Sequence, residues 1–204
     1  MNRTTVSLCQ KHRGSVLHDI AGDTLVTDTA TKTTVWTIDT AHSNVEFAVK
    51  HLMFATAKGR FSNVTGTISV DNENIENSSV DVVIDAASVH TSEEKRDAHL
   101  RSGDFFDVEN FPTVTFKSTK VEADGSDLKI TGDLTIRGVS KPVVLKAEFN
   151  GQGANPWGQQ VLSYSATTKF NRTDFGLTYN SALETGGVMV GEEVKLSIDV
   201  EANA

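Results

Sequence analysis

The chain is poor in cysteine, and it has no long apolar run. Cys9 is the one cysteine among 204 residues, so an intrachain disulfide and a cysteine-based metal site are both excluded. No stretch approaches the roughly 18 apolar residues of a membrane-spanning helix. Residues 2–8 are too polar for a secretory signal or a lipoprotein anchor. The sequence therefore predicts a cytoplasmic protein without a transmembrane segment.

Positive charge is outweighed by negative charge, and the formal net charge is −8. Proteins that bind nucleic acid normally present a basic face, so this balance argues against that class. The length fits one domain, or one domain with a tail. Residues 1–34 contain no aromatic residue and show no clear period. We expect them to be a flexible N-terminal extension of a single domain over residues 35–204.

What the chain does contain is alternation of apolar and polar residues, the period typical of strands. Many of the ten phenylalanines occur singly, one in each alternating segment. Gly132 lies inside the sixth predicted strand and indicates a bend or a bulge. The predicted strands cover residues 35–39, 44–50, 61–70, 80–84, 114–121, 128–136, 143–149, 161–170 and 194–200.

Eight or nine antiparallel strands with one or two short helices predict a sandwich or a closed barrel. Eight strands close around an interior that side chains fill or that holds one small ligand. One helix is predicted over residues 91–102, with Thr91 and Glu94 as a capping box and an Asp97–Arg101 pair one turn apart. Residues 51–58 are predicted to be irregular or helical, with three large apolar residues that plug or line an opening.

Six segments, in order, resemble the YceI-like family. They are WTIDTAHSNVEFAVKHL (36–52), GRF (59–61), RDAHLRSGDFFDVENFP (96–112), VTFKST (114–119), GDLTIRGVSKPV (132–143) and NRTDFGL (171–177). The resemblance extends over residues 35–202. It implies an extended antiparallel lipocalin-like β-barrel that binds a long-chain isoprenoid lipid, a polyprenyl pyrophosphate or an isoprenoid quinone, without catalysis. It also implies storage or transport, a link to stress responses, a possible homodimer, and a periplasmic location for members that carry an export signal.

The alternation alone leaves open whether the in-phase apolar side chains form a solid core or surround a cavity, and the resemblance favours the cavity. The residues then expected to line the barrel and bind lipid are Val45, Phe47, Val49, Leu52, Phe54, Phe61, Val82, Ile84, Phe116, Leu134, Ile136, Leu145, Phe149 and Phe170. Lys50, His51 and Arg60 flank the apolar segment, and they either meet a polar head group at the mouth or are simply solvated.

Catalytic and metal motifs are weak. Arg96, Asp97 and His99 suggest acid–base chemistry, but Asp97 and His99 are two apart and point to different faces of a helix. The six histidines include no H-x-x-x-H pair, and only a convergence of His42 and His51 in space would suggest a metal. No metal and no cofactor are expected. A small enzyme or accessory subunit acting on a prenylated substrate, and a solid-cored interaction module, are the alternatives.

Two further local predictions concern turns. His42 and Ser43 are expected to make turn hydrogen bonds between strands. Near residue 172, Arg172 and Asp174 are expected to pair at the barrel rim, with Phe175 packed inward.

Overall fold

The computed structural model describes residues 33–184 and 186–204, and within them it contains eleven strands and one α-helix. The strands are β1 (Thr33–Ile38), β2 (Asn44–His51), β3 (Ala55–Phe61), β4 (Val64–Asp71), β5 (Ser79–Asp85), β6 (Val89–His90), β7 (Thr113–Asp124), β8 (Asp127–Ile136), β9 (Val139–Ala154), β10 (Gln160–Asn171) and β11 (Val190–Asn203). The helix α1 spans Glu94–Arg101, and 3₁₀ turns cover Ile75–Asn77, Ala86–Ser88 and Arg172–Phe175. The predicted extension lies outside the described residues, except for Thr33 and Thr34 in β1.

The strands form one antiparallel sheet that closes on itself. Its order is β1-β4-β5-β7-β8-β9-β10-β11, and β1 pairs with β11 to complete the ring. β2 also pairs with β11, β3 with β2, and β6 with β3, so β1–β2, β3–β4 and β5–β6 each form one interrupted wall strand. The result is an eight-stranded antiparallel barrel, and the predicted fold class is confirmed.

Polar side chains stabilise the chain where these wall strands are interrupted. Between β1 and β2, the Asp39 carboxylate accepts a hydrogen bond from the Ala41 backbone N–H at 2.8 Å. Ser43 Oγ donates to the Glu201 carbonyl at 3.1 Å and accepts from the Glu201 N–H at the same distance. The predicted turn hydrogen bonds of Ser43 are therefore present, and they join the break to β11.

The region after β2 corrects two predicted boundaries. Residues 51–58 are neither helical nor irregular: β2 ends at His51, β3 begins at Ala55, and residues 52–54 form the turn of a tight hairpin. The strand predicted over residues 61–70 is divided between β3 and β4, which are separated by Ser62 and Asn63. Of these two corrections, only the tight turn alters which side chains we expect to be exposed.

Two inward-facing glycines allow phenylalanine rings to lie close to the barrel wall. A Cβ at Gly132 would lie 2.5 Å from the ring of Phe116, and a Cβ at Gly59 would lie 2.4 Å from the ring of Phe47. The predicted irregularity near Gly132 is present, because the β7–β8 register shifts between Ser118 and Lys120. Glycine at these positions therefore makes space inside the wall for large rings.

Buried apolar side chains surround the barrel axis. The larger cluster includes Val64, Val89 and Phe175, and a smaller one is centred on Trp36 and Leu162. The helix α1 follows β6 at one end of the barrel. Among the residues that the structure describes, no helix has the length and apolarity needed to cross a bilayer.

Candidate functional site

A cavity of about 250 Å³ lies at the end of the barrel that carries α1, and we call it the mouth cavity. Its walls come from β2, β3, β5, β7, β8, β10, β11 and α1, and from the segments on either side of α1 and after β10. It is larger than an engineered apolar cavity of about 150 Å³ that binds benzene and stays dry. Polar groups in its lining include Thr91, Arg96, His99, Arg172 and Tyr179.

A second cavity of about 120 Å³, the distal cavity, lies further along the barrel. Its lining is apolar except for Ser78, Thr168 and the tyrosine ring of Tyr164, whose hydroxyl has its pKa raised by burial. Four residues line both cavities, so the two adjoin: Val45, Ile84, Leu134 and Leu196. The interior is therefore an extended apolar space with its charged groups at one end.

Eleven of the residues proposed to line the barrel contribute to the walls of these cavities. They are Val45, Phe47, Val49, Phe61, Val82, Ile84, Phe116, Leu134, Ile136, Leu145 and Phe170. The alternating pattern identified them because each inward-facing position recurs every second residue along a strand.

Three predicted lining residues are absent from both cavity walls: Leu52, Phe54 and Phe149. Phe54 lies in the hairpin turn and is 79% exposed. Phe149 continues the phase of the buried Val143, Leu145 and Ala147, but it lies near the end of β9, where it is 49% exposed and packs against Tyr164 with ring centroids 5.3 Å apart. Its strand phase was predicted correctly, and its position along the barrel was not.

The predicted head-group residues separate according to strand face. His51 lines the mouth cavity, whereas Lys50 and Arg60 are exposed and do not line it. The alternation that turns Val49 and His51 inward turns Lys50 outward, and a contact of Lys50 or Arg60 with a head group stays a prediction.

Sequence reasoning did not assign Arg96, His99 or Tyr179 to the mouth of the barrel. Arg96 and His99 lie on α1, and Tyr179 lies in the segment before β11. His99 packs edge-on against Phe105 and Tyr179, with ring centroids 5.0 and 4.6 Å away. Arg96 and His99 were noticed as a charged group, but only the docking of α1 across the barrel end brings them to a cavity.

The helix start differs from the predicted capping box. Glu93 is the N-cap, and its carboxylate accepts hydrogen bonds from the backbone N–H groups of Lys95 and Arg96 at 3.1 and 2.6 Å. Thr91 is buried instead, and Arg96 donates through Nε to its hydroxyl and through Nη2 to its carbonyl, both at 2.8 Å. These bonds fix the Arg96 side chain at the mouth.

Asp97 is the buried carboxylate that holds this arrangement together. It accepts hydrogen bonds from Thr91 N at 2.8 Å and Thr91 Oγ1 at 2.5 Å, and its other oxygen lies 3.0 Å from His90 Nδ1. The predicted Asp97–Arg101 pair is wrong, because Arg101 donates to the carbonyls of Ala87 and Val89. Burial opposes the ionisation of Asp97, but these bonds together outweigh it and hold its pKa below the ordinary value.

We expect Asp97→Asn to lower the free energy of unfolding at pH 7 by about 1–3 kcal/mol, because buried donors lose an acceptor. The carboxylate has a lowered pKa in the folded state, so its contribution is present above the ordinary carboxyl range near pH 4 and is lost as the pH falls below it. Urea unfolding between pH 7 and pH 3 should show the difference between wild type and variant shrinking. The exposed Asp81→Asn variant is the control, with an expected change of less than about 0.5 kcal/mol. A difference for Asp97→Asn that stays constant down to pH 3 would contradict this assignment.

Arg172 is a buried cation in the wall of the mouth cavity. Its Nε donates to the Gly191 carbonyl at 2.8 Å, its Nη2 to the Val190 carbonyl at 3.2 Å, and its Nη1 to the Leu177 carbonyl. The predicted pair with Asp174 is therefore wrong. Phe175 does pack inward, with its ring centroid 5.1 Å from that of Phe170, and Gly176 has φ 76°.

The histidines proposed for a metal do not converge, because His42 precedes β2 and His51 ends it. His42 instead lies beside two carboxylates, with Nδ1 3.0 Å from Asp39 Oδ2 and 3.8 Å from Glu201 Oε1. The hydrogen bond between His42 and Asp39 lowers the pKa of Asp39 and raises that of His42. The group stabilises the turn between β1 and β2.

Known proteins resemble this chain over nearly all of the described barrel. The YceI-like domain family model matches residues 36–202. A UPF0312 protein of Staphylococcus aureus is 40% identical over 169 residues, which cover 82% of this chain and 96% of the relative.

Solved structures share the fold. The Campylobacter jejuni YceI protein superposes with a TM-score of 0.64 at 37% identity. The superposition covers 76% of this chain and 89% of the Campylobacter jejuni protein. A polyisoprenoid binding domain from Saccharophagus degradans has a TM-score of 0.58 at 15% identity, covering 83% and 98%. Because the family model matches residues 36–202 and the Staphylococcus aureus relative is 40% identical, the chain belongs to the YceI-like family.

Proposed function

We propose that this protein binds one long-chain isoprenoid lipid inside the barrel and stores or transports it without chemical change. The observation that carries the proposal is the pair of adjoining apolar cavities with polar groups at one end. A solid-cored interaction module would not need such a space. A lipid with a long apolar chain and one polar head matches this distribution of surface.

The apolar chain would supply most of the binding free energy. Burying each CH₂ group contributes about 0.8 kcal/mol. A chain that extends from the mouth cavity into the distal cavity would therefore bind tightly without a buried salt bridge. Selectivity would follow from length and branching, since the walls offer few hydrogen bonds.

The polar head would lie near Arg96, His99 and Tyr179. Nε and Nη2 of Arg96 are held by Thr91, which leaves Nη1 to donate to a ligand oxygen. A pyrophosphate or a quinone carbonyl offers such an acceptor. The structural likeness to a polyisoprenoid binding domain supports a hollow barrel as a lipid container.

Native mass spectrometry of gently purified protein, with organic extraction of any bound molecule, tests the proposal. We then expect uptake of isoprenoid quinones and prenyl pyrophosphates of increasing length, with affinity rising until the interior is filled. An Arg96→Gln variant should weaken pyrophosphate binding more than quinone binding, because a dianionic head depends more on the guanidinium. A protein that is empty as purified and takes up neither series would contradict the proposal.

An enzyme acting on a prenylated substrate is the second candidate, and one contact favours it. His99 Nε2 lies 2.9 Å from Asp104 Oδ2 while its ring lines the mouth cavity, so Asp104, and not Asp97, is the carboxylate partner of a possible base. His99→Ala should then abolish turnover of a prenylated substrate and spare its uptake. Recovery of every added lipid unchanged from the wild-type protein would reject this candidate.

A further inference from the structure

The turn between β2 and β3 combines backbone strain with exposed apolar side chains. Leu52 and Met53 have φ of 51° and 69°, in the left-handed region that hairpin turns usually fill with Asn or Gly. Such conformations are unfavourable for large side chains and often mark functional sites. Here they display Met53, 60% exposed, and Phe54, 79% exposed.

This hairpin tip stands beside the mouth cavity. His51 before the turn and Lys58 after it both line that cavity. The Leu52 N–H donates to the Met189 carbonyl at 2.9 Å, and the Met53 side chain packs beside Gly187. Val188, in the segment that precedes β11, is also exposed. Three exposed apolar residues therefore lie together at the rim of the mouth cavity. They are Met53, Phe54 and Val188, and we call them the apolar tip.

The hairpin that carries the apolar tip is basic, although the whole chain is acidic. Residues 44–61 contain Lys50, Lys58 and Arg60 and one carboxylate, Glu46. Among the described residues, no carboxylate oxygen lies within 4 Å of these three cations, whereas Lys117, Lys120, Lys169 and Lys195 each have such a partner. In the adjoining segment of residues 182–188, Glu184 is the carboxylate. Apolar residues at a tip with cations behind them match the layers of an anionic bilayer surface.

We propose that the apolar tip inserts into the surface of an anionic lipid bilayer, with Lys50, Lys58 and Arg60 at the level of the head-group phosphates. The mouth cavity would then face the membrane, and an isoprenoid chain could pass between bilayer and barrel with little exposure to water. This inference rests on the proposed function only for its purpose, because the docking itself needs no bound ligand.

Sedimentation with vesicles tests the docking without any isoprenoid. The protein should bind vesicles of phosphatidylcholine with 30% phosphatidylglycerol, a composition chosen to give a surface of about the charge of an anionic leaflet. Met53→Ser with Phe54→Ser should reduce partitioning at least about tenfold, because two apolar side chains are lost from the interface. Trp157→Ser is the matched control: Trp157 is 84% exposed in the loop between β9 and β10, at the opposite end of the barrel. It should change partitioning less than about twofold.

Charge and depth give independent readouts. Changing Lys50, Lys58 and Arg60 to Gln should reduce binding by about fivefold per charge on anionic vesicles and little on pure phosphatidylcholine. Relative to the Trp157→Phe protein, which keeps the buried Trp36, adding Phe54→Trp should contribute emission that shifts to the blue on vesicle binding and is quenched by brominated lipid. Absence of vesicle binding by the wild type, an equal loss in Trp157→Ser, or an unquenched Trp at position 54 would each overturn the proposal.

Lipid uptake separates this proposal from the proposed function. The double serine variant should still take up detergent-solubilised isoprenoid quinone, while transfer from vesicles slows. Vesicle binding that needs the apolar tip, in a protein that takes up no isoprenoid, would retain the docking surface and reject the cargo. Unchanged transfer from vesicles by the double variant would count against the docking surface.

Discussion

Replacing Arg172 with Met should lower the free energy of unfolding by about 3–5 kcal/mol, because three buried carbonyls lose a charged donor and each buried group that loses its partner costs about 1–3 kcal/mol. The residue is 3% exposed, and its guanidinium donates to three backbone carbonyls around β11 and the segment after β10. Burial lowers its pKa, yet a guanidinium remains protonated at neutral pH. Methionine would replace the apolar stem and remove these donors, and only the Val190 carbonyl would keep a side-chain donor, Asn180 Nδ2 at 2.7 Å, among the contacts of the described residues. Urea unfolding at pH 7 measures the loss.

Two variants make that result interpretable. Arg172→Lys keeps the charge but cannot reach three carbonyls in fixed geometry, so we expect a smaller but clear loss. Lys169→Met, on the outer face of neighbouring β10, should change stability by less than about 0.5 kcal/mol. If Arg172→Met were as mild as Lys169→Met, the carbonyl cluster would not depend on the guanidinium.

Ala166→Trp should weaken binding of a long isoprenoid about a thousandfold while sparing a short one. Ala166 lies on the inner face of β10 and lines the distal cavity, so an indole there would occupy the space for the end of the chain. Excluding about five CH₂-sized groups, near one isoprene unit, costs about 4 kcal/mol at 0.8 kcal/mol each. Titration with quinones of increasing length measures the effect.

The neighbouring residue supplies the control for this experiment. Thr167 faces outward on the same strand, so Thr167→Trp adds the same side chain without reducing the cavity. It should bind every quinone as the wild type does. An equal loss for the two variants, or an Ala166→Trp variant that binds long and short quinones alike, would mean that the lipid chain does not reach the distal cavity.

The strands were predictable because each is long enough for its alternation to be visible. Closure of the strands into a barrel was not predictable from alternation, since period-two runs are equally compatible with a sandwich. The six segments that resemble the YceI-like family favoured the barrel. The tight turn at Leu52 and Met53 was missed because neither residue belongs to the types that normally adopt positive φ. Tertiary packing overrides that local preference here.

The candidate site was predictable only where it is built from strands. In-phase positions such as Phe47 and Leu134 line the cavities, and the same alternation places Lys50 on the outer face. Arg96 and His99 reach the mouth through the docking of α1, which no local pattern encodes. The homodimer, the cytoplasmic location and the flexible extension stay predictions.

The pairing of β1 with β11 has a consequence for synthesis of the protein on the ribosome. Thr37 lies opposite Asn203, so the ring is completed by the last of the described strands to be synthesised. Until β11 has left the exit tunnel, the nascent chain holds an open sheet with two free edges and an uncovered apolar face. Such intermediates aggregate readily, and chaperones commonly shield them.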